Sequence, residues 1–467
     1  MEKDLIIEIQ RTQIESLLFQ IRELTARVLE LENNNKKDSN NSSKPPSTDI
    51  GKIRATKSLR VAGNKSQGGQ AGHKGDTLKS VNHPDIIEVH RVTICTCCSR
   101  DLTILAPTGY KSRQVFDLPA IRLQVTEHRV ETKCCPDCAT LSTASFPPGV
   151  SQSVGYGKSI QKLAVYLSNY QLLPYQRTAE LFEDLLGHRI NEASLLSMNQ
   201  RFSANLAAFT GQLRERLSEQ PVLHADETGY YYKSKRNWLH VLATEKYTLY
   251  TPHAKRGAEA MNEMGILPGY KGTLIHDFWK SYNDYECAHG LCNVHHLRDL
   301  TFCSEIEKSL WATQMKQFLL ELQEDVNQTK QRNVNCLTPQ QVRYWQDKYD
   351  YLLKAGWQAH PLPEKQQGKR GAVKKTKTQN LLQRFEQYKE SILAFACDFN
   401  IPFGNNLAEQ AIRMMKVKQK ISGCFRTEQG AIQFATIRSF ISTMKKQGKN
   451  IFVALDDLLS GNHIELA

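Results

Sequence analysis

Apolar residues recur at heptad spacing over residues 4–32. Ile7, Ile14, Ile21 and Val28 take one seam position and Leu17, Leu24 and Leu31 the other, with Gln10 as a polar exception. β-Branched residues at the first position and Leu at the second predict a parallel two-stranded coiled coil; the competing reading is an amphipathic helix packed on its own chain. From Glu32 the pattern stops. ENNNKKDSNNSSKPPSTD and a stretch containing GGQAGHKG offer almost nothing to bury before Ile86, which predicts a flexible linker. Alternation in IIEVHRVTI and IRLQVTEHRVETK then predicts short antiparallel strands, ending near the Pro pair at Pro147. From Tyr156 to about Ser218 the period becomes three and four residues, as in SIQKLAVYLSNYQLL and RTAELFEDLL. This predicts two or three helices, either a helix-turn-helix-like unit or a plain connector. VLHADET, NWLHVLAT, YTLYTPH and GTLIHDF predict a run of four strands. Helical periodicity returns from about Glu305 to Ala396, interrupted by KQQGKRGAVKKTK, and further helices close the chain.

Composition narrows the class. At 467 residues, 40% hydrophobic and 23% charged, the chain reads as a globular protein of two or three domains. A net charge of +13 favours a polyanionic partner, nucleic acid first, because each neutralised phosphate releases counterions. Lys52, Arg54, Lys57, Arg60, Lys65 and Lys74 of the linker could follow a phosphate backbone, although a charge run is more often simply solvated. No apolar run approaches the roughly 20 residues that cross a bilayer, and MEKDLIIEIQ lacks the layout of a signal peptide. The expected location is the cytoplasm, where the 12 cysteines point to metal binding or burial rather than disulfides.

Cys95 with Cys98 and Cys135 with Cys138 form two C-x2-C pairs, in the segments TCCS and CPDC. Four thiolates from such pairs can surround one zinc ion tetrahedrally and supply folding free energy to a segment with little core. Cys97 and Cys134 adjoin the pairs and could substitute in the ligand set. With every position filled by protein, the zinc would be structural.

Asp226 ends the first strand of the four-strand run and Asp277 ends the fourth. Side by side, those strands would bring the two carboxylates together, as two magnesium ions require for in-line phosphoryl transfer; taken alone, such residues are often turn or cap residues. Glu409 opens a helix in NNLAEQAIRMMKVKQKI, where Arg413, Lys416 and Lys420 follow on one face. A solvated stripe is the plain reading; a line of DNA-phosphate contacts running from a metal-binding carboxylate is the functional one. In CAHGLCNVHHLRDL, Cys292 and His295 have C-x2-H spacing and Arg298 follows. A second metal site there would need two more ligands, with His289 and Cys287 as candidates. The preferred reading is a helix start whose His and Arg support the active site or touch DNA. His224 and His276 flank the acids as donors or satisfied core residues, and Trp279 and Tyr282 read as packing residues.

These pieces, in this order, closely resemble transposases of the insertion-sequence family numbered sixty-six, over nearly the whole length. The resemblance runs through the leading zipper, NSSKPPSTD, GGQAGHKG, both C-x2-C pairs, YGKSIQKLAVYLSNYQLLPYQRTAEL, HADETG, HDFWKSY and PFGNNLAEQAIRMMKVKQKISGCFRT. It implies an RNase H-like catalytic domain, a mixed sheet with the first Asp on its first strand, the second after its fourth, and the Glu on a later helix. A helical insertion would separate Asp277 from Glu409. Two positions depart from the family pattern: Gly404 stands where an Asp is usual before the paired Asn, and Gln410 where an Arg usually follows the Glu.

The expected fold class is therefore a multidomain α+β and α/β chain. Its parts are a coiled coil for dimerisation (1–33), a basic flexible linker (34–84), a small zinc-binding β domain (85–150) and a helical, helix-turn-helix-like DNA-binding region (151–218). An RNase H-like catalytic domain (219–300 and 397–445) follows, split by a helical insertion (301–396), with a C-terminal helical tail (446–467). The expected activity is DDE-type transposition: water attack releases the transposon end, and the freed 3′-hydroxyl attacks target DNA. Asp226, Asp277 and Glu409 would hold two Mg2+ (or Mn2+), and a structural Zn2+ would sit at the four cysteines. Arg413, Lys416, Lys420 and Arg298 would touch DNA. The partners would be terminal inverted repeats, target DNA, a second copy of the chain or a larger synaptic assembly, and accessory proteins of the same element, with no membrane. The competing readings are a catalytically inactive zinc-bearing DNA-binding protein and a structure-selective nuclease on the same fold.

Overall fold

The computed structural model describes residues 78–362, 375–462 and 464–466, with scattered helical positions between Ile14 and Val28. Ile14, Leu17, Ile21, Leu24 and Val28 are helical and more than half exposed. Ile7, Gln10, Leu31 and the linker lysines and arginines lie outside the described residues, as does most of KQQGKRGAVKKTK.

Up to Val154 the described chain is mostly irregular, with one bridge between Ile94 and Asp101 and a hairpin of β1 (Thr132–Cys134) and β2 (Leu141–Thr143). Of the short antiparallel strands expected in IIEVHRVTI and IRLQVTEHRVETK, only the end of the second segment is paired, as β1. Their alternation has no apolar layer to face, since Ile86 is 78% and Val125 91% exposed, and strand pairs without such a face are marginal in water.

Helices follow: α1 (Lys158–Val165), extended by a π-helical turn over Tyr166–Tyr170, α2 (Tyr175–Leu186), α3 (Glu192–Ala204) and α4 (Ala207–Ser218). Gly187, at φ 64°, closes α2 in the left-handed conformation, and the Asn191 side chain caps α3 by accepting the Ala193 N–H at 2.8 Å.

The sheet comprises β3 (Val222–Tyr232), β4 (Lys235–Ala243), β5 (Thr248–His253), β6 (Thr273–His276) and β7 (Ala288–Leu291), in the order β5-β4-β3-β6-β7. β3 pairs antiparallel with β4 and β4 with β5, whereas β3–β6 and β6–β7 are parallel. The four expected strands are present, but β3 runs on to Tyr232, so Asp226 lies within it rather than at its end. The fifth, AHGL, is too short and too polar for its alternation to register in the sequence.

The remaining helices are α5 (Ala258–Glu263), α6 (Asn293–Glu305), α7 (Leu310–Gln331), α8 (Pro339–Ala359), α9 (Lys377–Gln387), α10 (Lys389–Cys397), α11 (Asn406–Ser422), α12 (Glu428–Lys446) and α13 (Ile451–Leu459). Alternate residues of the strands sort into two cores, as the period of two dictates. Leu223, Ala225 and Leu242 pack with Phe202, Leu213 and Leu217 of the upstream helices, Phe440 of α12 and Leu455 of α13. Tyr230, Leu239 and Val241 face Ala408, Ile412 and Met415 of α11. The helices α6 to α10 enclose a third core around Trp311, Phe318, Tyr349 and Phe385, which also takes Ile275 and Leu291 from the sheet.

Candidate active site

Parallel register brings the two aspartates to one place. β3 and β6 pair Val222 with Thr273, Leu223 with Leu274 and His224 with Ile275. Carried two residues further, that register sets Asp226 opposite Asp277 on the same face of adjacent strands, which lie roughly 4.8 Å apart. Asp277 follows the last residue of β6, so its carboxylate sits where the strand gives way to a turn, and its Oδ1 accepts the Trp279 N–H at 3.1 Å.

Glu409 reaches the same face from the first turn of α11. Asn405 fixes that helix start: its Nδ2 donates to the Ala225 carbonyl at 2.7 Å, and its Oδ1 meets His224 Nδ1 at 2.9 Å. Two residues of β3 adjoining Asp226 therefore position the helix that carries Glu409. Behind the carboxylate, the Cys292 thiol donates to Glu409 Oε1 at 3.7 Å and accepts the Asn405 N–H at 3.2 Å. Cys292 is the N-cap residue of α6, and His295 Nδ1 lies 3.7 Å from the same Glu409 oxygen. His289 and Cys287 do not join this group: His289 contacts His276 at 3.1 Å and Cys287 at 4.0 Å.

Gly404 is accounted for by its neighbour. A Cβ there would lie 2.8 Å from Val294 Cγ2, so the chain combines glycine with valine where a side chain at 404 would collide. Gln410 is exposed, and neither departure touches a carboxylate of the trio.

Glu227 carries no signal of its own in HADETG, yet its side chain is fully buried. It points to the opposite face from Asp226. There it takes Arg256 Nε at 2.8 Å and the Tyr282 hydroxyl at 2.6 Å. The Arg256 guanidinium stacks 3.6 Å from the centre of the Trp279 ring, and Trp279 and Tyr282 both belong to the turn after Asp277. The Glu227–Arg256–Tyr282 network thus ties β3 to the turn that presents Asp277.

Burial, with the charges of Glu227, Asp277 and Glu409 adding to it, holds the Asp226 carboxyl well above the usual carboxylate range. Asp277 is raised by burial and then by Glu227, against the opposing pull of His295, Arg256 and the Trp279 N–H. Asp226, Asp277 and Glu409 do not all lie within 4.8 Å of one another. An oxygen donor set of this kind suits magnesium, and two ions about 4 Å apart can be shared by carboxylates that do not touch. A carboxyl whose pKa is higher folded than unfolded binds its proton more tightly in the fold. Stability is therefore lost as pH rises from the unfolded value, about 4, through the folded one. Without divalent metal, Asp226→Asn should melt a few degrees above the parent at pH 7, and magnesium should raise the melting temperature of the parent alone. Thermal melts with and without the ion check both signs.

The basic stripe is only partly as expected. Arg413 and Lys420 are exposed on α11 and Arg298 is half-buried on α6. Lys416 corrects the expectation of four residues on one open face: it is half-buried, and its Nζ donates to the Gly229 carbonyl of β3 at 3.3 Å. Desolvation, then Arg236, lowers its pKa. The helix lies against the sheet along that edge of the stripe, so Lys416 turns inward.

In the irregular segment the two C-x2-C pairs adopt the same turn. The Ser99 N–H donates to the Cys95 carbonyl at 3.0 Å and the Cys95 N–H to the Arg100 carbonyl at 2.9 Å. The Ala139 N–H donates to Cys135 and the Cys135 N–H to Thr140, both at 2.9 Å. Ser99 and Ala139 share a left-handed φ, 58° and 56°. Backbone N–H groups of Cys98 and Cys97 lower the Cys95 thiol, and the Thr140 hydroxyl lowers that of Cys138, which favours the thiolates a zinc ion needs. Cys97 takes the position that Asp137 has in the second turn, and Cys134 precedes that turn. The two turns are not gathered into one four-thiolate cluster. The irregular stretch between them has no core to draw them together. Zinc content should survive Cys97→Ser and Cys134→Ser and fall by one equivalent in Cys98→Ser or Cys138→Ser, as elemental analysis would read.

Among the described residues no helix is long and apolar enough to cross a membrane. No curated protein matches the chain. Among solved structures it is similar to the Drosophila P element transposase strand transfer complex, at 10% identity and a TM-score of 0.31, over 65% of this chain and 95% of that one. Sequence models of three families match. A family of unknown function covers residues 2–79, and the zinc-finger binding domain of transposase IS66 covers residues 93–139, both cysteine turns included. The third covers residues 154–433, more than half of the chain, including Asp226, Asp277, Glu409 and the helices that carry and flank them; on that match the chain belongs to the Transposase IS66 family.

Proposed function

We propose that this transposase is a DDE-type enzyme with an RNase H-like catalytic domain, which binds the terminal inverted repeats of its element and cleaves and joins DNA strands with two magnesium ions held by Asp226, Asp277 and Glu409. One observation carries the reading: the β3–β6 register sets Asp226 opposite Asp277, and the Glu409 helix is fastened to that strand through Asn405. The strand order β5-β4-β3-β6-β7, with its first three strands antiparallel and the others parallel, supports the fold assignment.

When bound, the ions would supply a deprotonated oxygen nucleophile and neutralise charge on the leaving oxygen. The chain's own contribution is positional. β3 holds Asp226 in a rigid strand, the Glu227 network holds the turn of Asp277, and Asn405 holds Glu409 at a helix N-terminus, where the helix dipole favours its charge. No side chain is needed as a covalent nucleophile. Arg413 and Lys420 extend from Glu409 along the exposed face of α11, where they would contact phosphates with Arg298 as a neighbour, and Lys416 would hold the helix to the sheet. The cysteine domain, with zinc bound, and the upstream helices would bind the repeats, and the N-terminal zipper would pair two protomers for synapsis.

A mobility-shift assay run beside a strand-transfer assay on repeat-ended DNA tests the reading. The enzyme is expected to shift the repeats and join them to target; binding with no cleavage in any divalent metal would establish an inactive DNA-binding protein instead. Ile14→Asp with Ile21→Asp is expected to retain single-end binding and to lose paired-end complexes in the same gel.

A further inference from the structure

The neighbours of Glu409 on its far side form a different donor set. Cys292 Sγ, His295 Nδ1 and a Glu409 oxygen all lie within 4.8 Å of one another, and each of the first two is 3.7 Å from Glu409 Oε1. Among the described residues this is the group of three or more potential ligands that meets that spacing. A tetrahedral zinc with bonds of roughly 2.0 Å to nitrogen and oxygen and 2.3 Å to sulfur places its ligand atoms roughly 3.3–3.5 Å apart, so each of the two contacts to Glu409 needs to shorten by a few tenths of an ångström. The scaffold is rigid. Cys292 and His295 stand one turn apart at the start of α6, the Cys292 N–H donates to the His276 carbonyl at 3.0 Å, and Asn405 ties the Glu409 helix to both Cys292 and β3.

His295 Nδ1 is buried without a hydrogen-bond partner, which is unusual for a native side chain and leaves a ring nitrogen aimed at the carboxylate. Sulfur and nitrogen donors do not suit magnesium, which takes oxygen; they suit zinc, cobalt or cadmium. With three protein ligands the ion would keep a fourth position open for water.

We propose that Cys292, His295 and Glu409 form a second metal site for a thiophilic divalent cation, zinc foremost, and that its occupation withdraws Glu409 from the magnesium pair and inhibits strand cleavage. The inhibitory part rests on Glu409 being a ligand of the catalytic ions; the binding part does not. The site is separate from the cysteine turns, which share no residue with it, so the two zinc populations can be counted independently.

The test uses the full chain with its cysteine turns loaded. Wild type is expected to bind one equivalent of zinc more than Cys292→Ser or His295→Gln, while Cys98→Ser loses a different equivalent. Cobalt added to the zinc-loaded protein is expected to give a thiolate-to-metal charge-transfer band that Cys292→Ser lacks. In magnesium with repeat-ended DNA, added zinc should inhibit cleavage by wild type. Each variant, normalised to its own zinc-free rate, should need at least about tenfold more. Equal zinc counts in wild type and both variants would overturn the site. An extra equivalent that binds without inhibiting would overturn the coupling. Glu409→Gln assayed in magnesium alone reports separately on the catalytic reading, since retained activity there contradicts that reading while the zinc counts of wild type, Cys292→Ser and His295→Gln stand on their own.

Discussion

Asp226→Asn is expected to lower magnesium-dependent strand cleavage and strand transfer by roughly 10³-fold or more, with repeat binding unchanged within a few-fold. The substitution keeps the shape of the side chain, and the new amide oxygen can still accept the Glu227 N–H that Asp226 Oδ1 takes at 2.8 Å. What it removes is one negative charge from a cation site, and several kcal/mol of transition-state charge stabilisation corresponds to a loss of that order. Asp277→Asn and Glu409→Gln should act alike. On the proposed reading the three carboxylates serve one pair of ions, so a double substitution should cost little more than a single one. A variant that keeps a tenth of wild-type joining activity, or losses that multiply, would contradict a shared site.

Arg256→Met should destabilise the protein by about 3 kcal/mol, the lower part of the range for breaking a buried ion pair, because Arg256 keeps 31% of its side-chain exposure. For a unit of this size that corresponds to a fall in melting temperature of roughly 6–12 °C. The cause is the carboxylate left behind. Glu227 is fully buried, and without the guanidinium it keeps the Tyr282 hydroxyl while the charges of Asp226 and Asp277 act against it. Glu227→Gln combined with Arg256→Met removes that stranded charge and should recover most of the loss. If the double variant melts as low as the single one, lost stacking on Trp279 is the cause and the electrostatic account fails.

Much of this architecture was legible in the sequence because it follows local rules. The alternation in VLHADET and NWLHVLAT sorts residues onto two faces of a sheet, and both faces found a core. Other features depend on distant partners and left no local trace. Glu227 and Arg256 are 29 residues apart with no shared period, and Asn405 meets β3 across about 180 residues. The short strand β7 is set by pairing with β6 rather than by its own four residues. Spacing along α11 correctly placed Glu409, Arg413, Lys416 and Lys420 on neighbouring turns, but a helical wheel does not say which edge of the stripe meets the sheet. Lys416 proved to be that edge. In the cysteine domain the turns were readable from C-x2-C and the strands were not, since alternation makes a sheet only where a buried face exists.

Metal-directed backbone cleavage reads most directly whether Asp226, Asp277 and Glu409 share divalent cations. Ferrous ion substituted for magnesium in the intact protein, with ascorbate and peroxide, generates hydroxyl radicals that cut the chain close to the bound metal. The account predicts three clusters of cuts, around residues 226, 277 and 409, all suppressed together by excess magnesium and all absent in Asp226→Asn. Cuts confined to one or two of those segments, or a cluster that magnesium leaves unchanged, would contradict it.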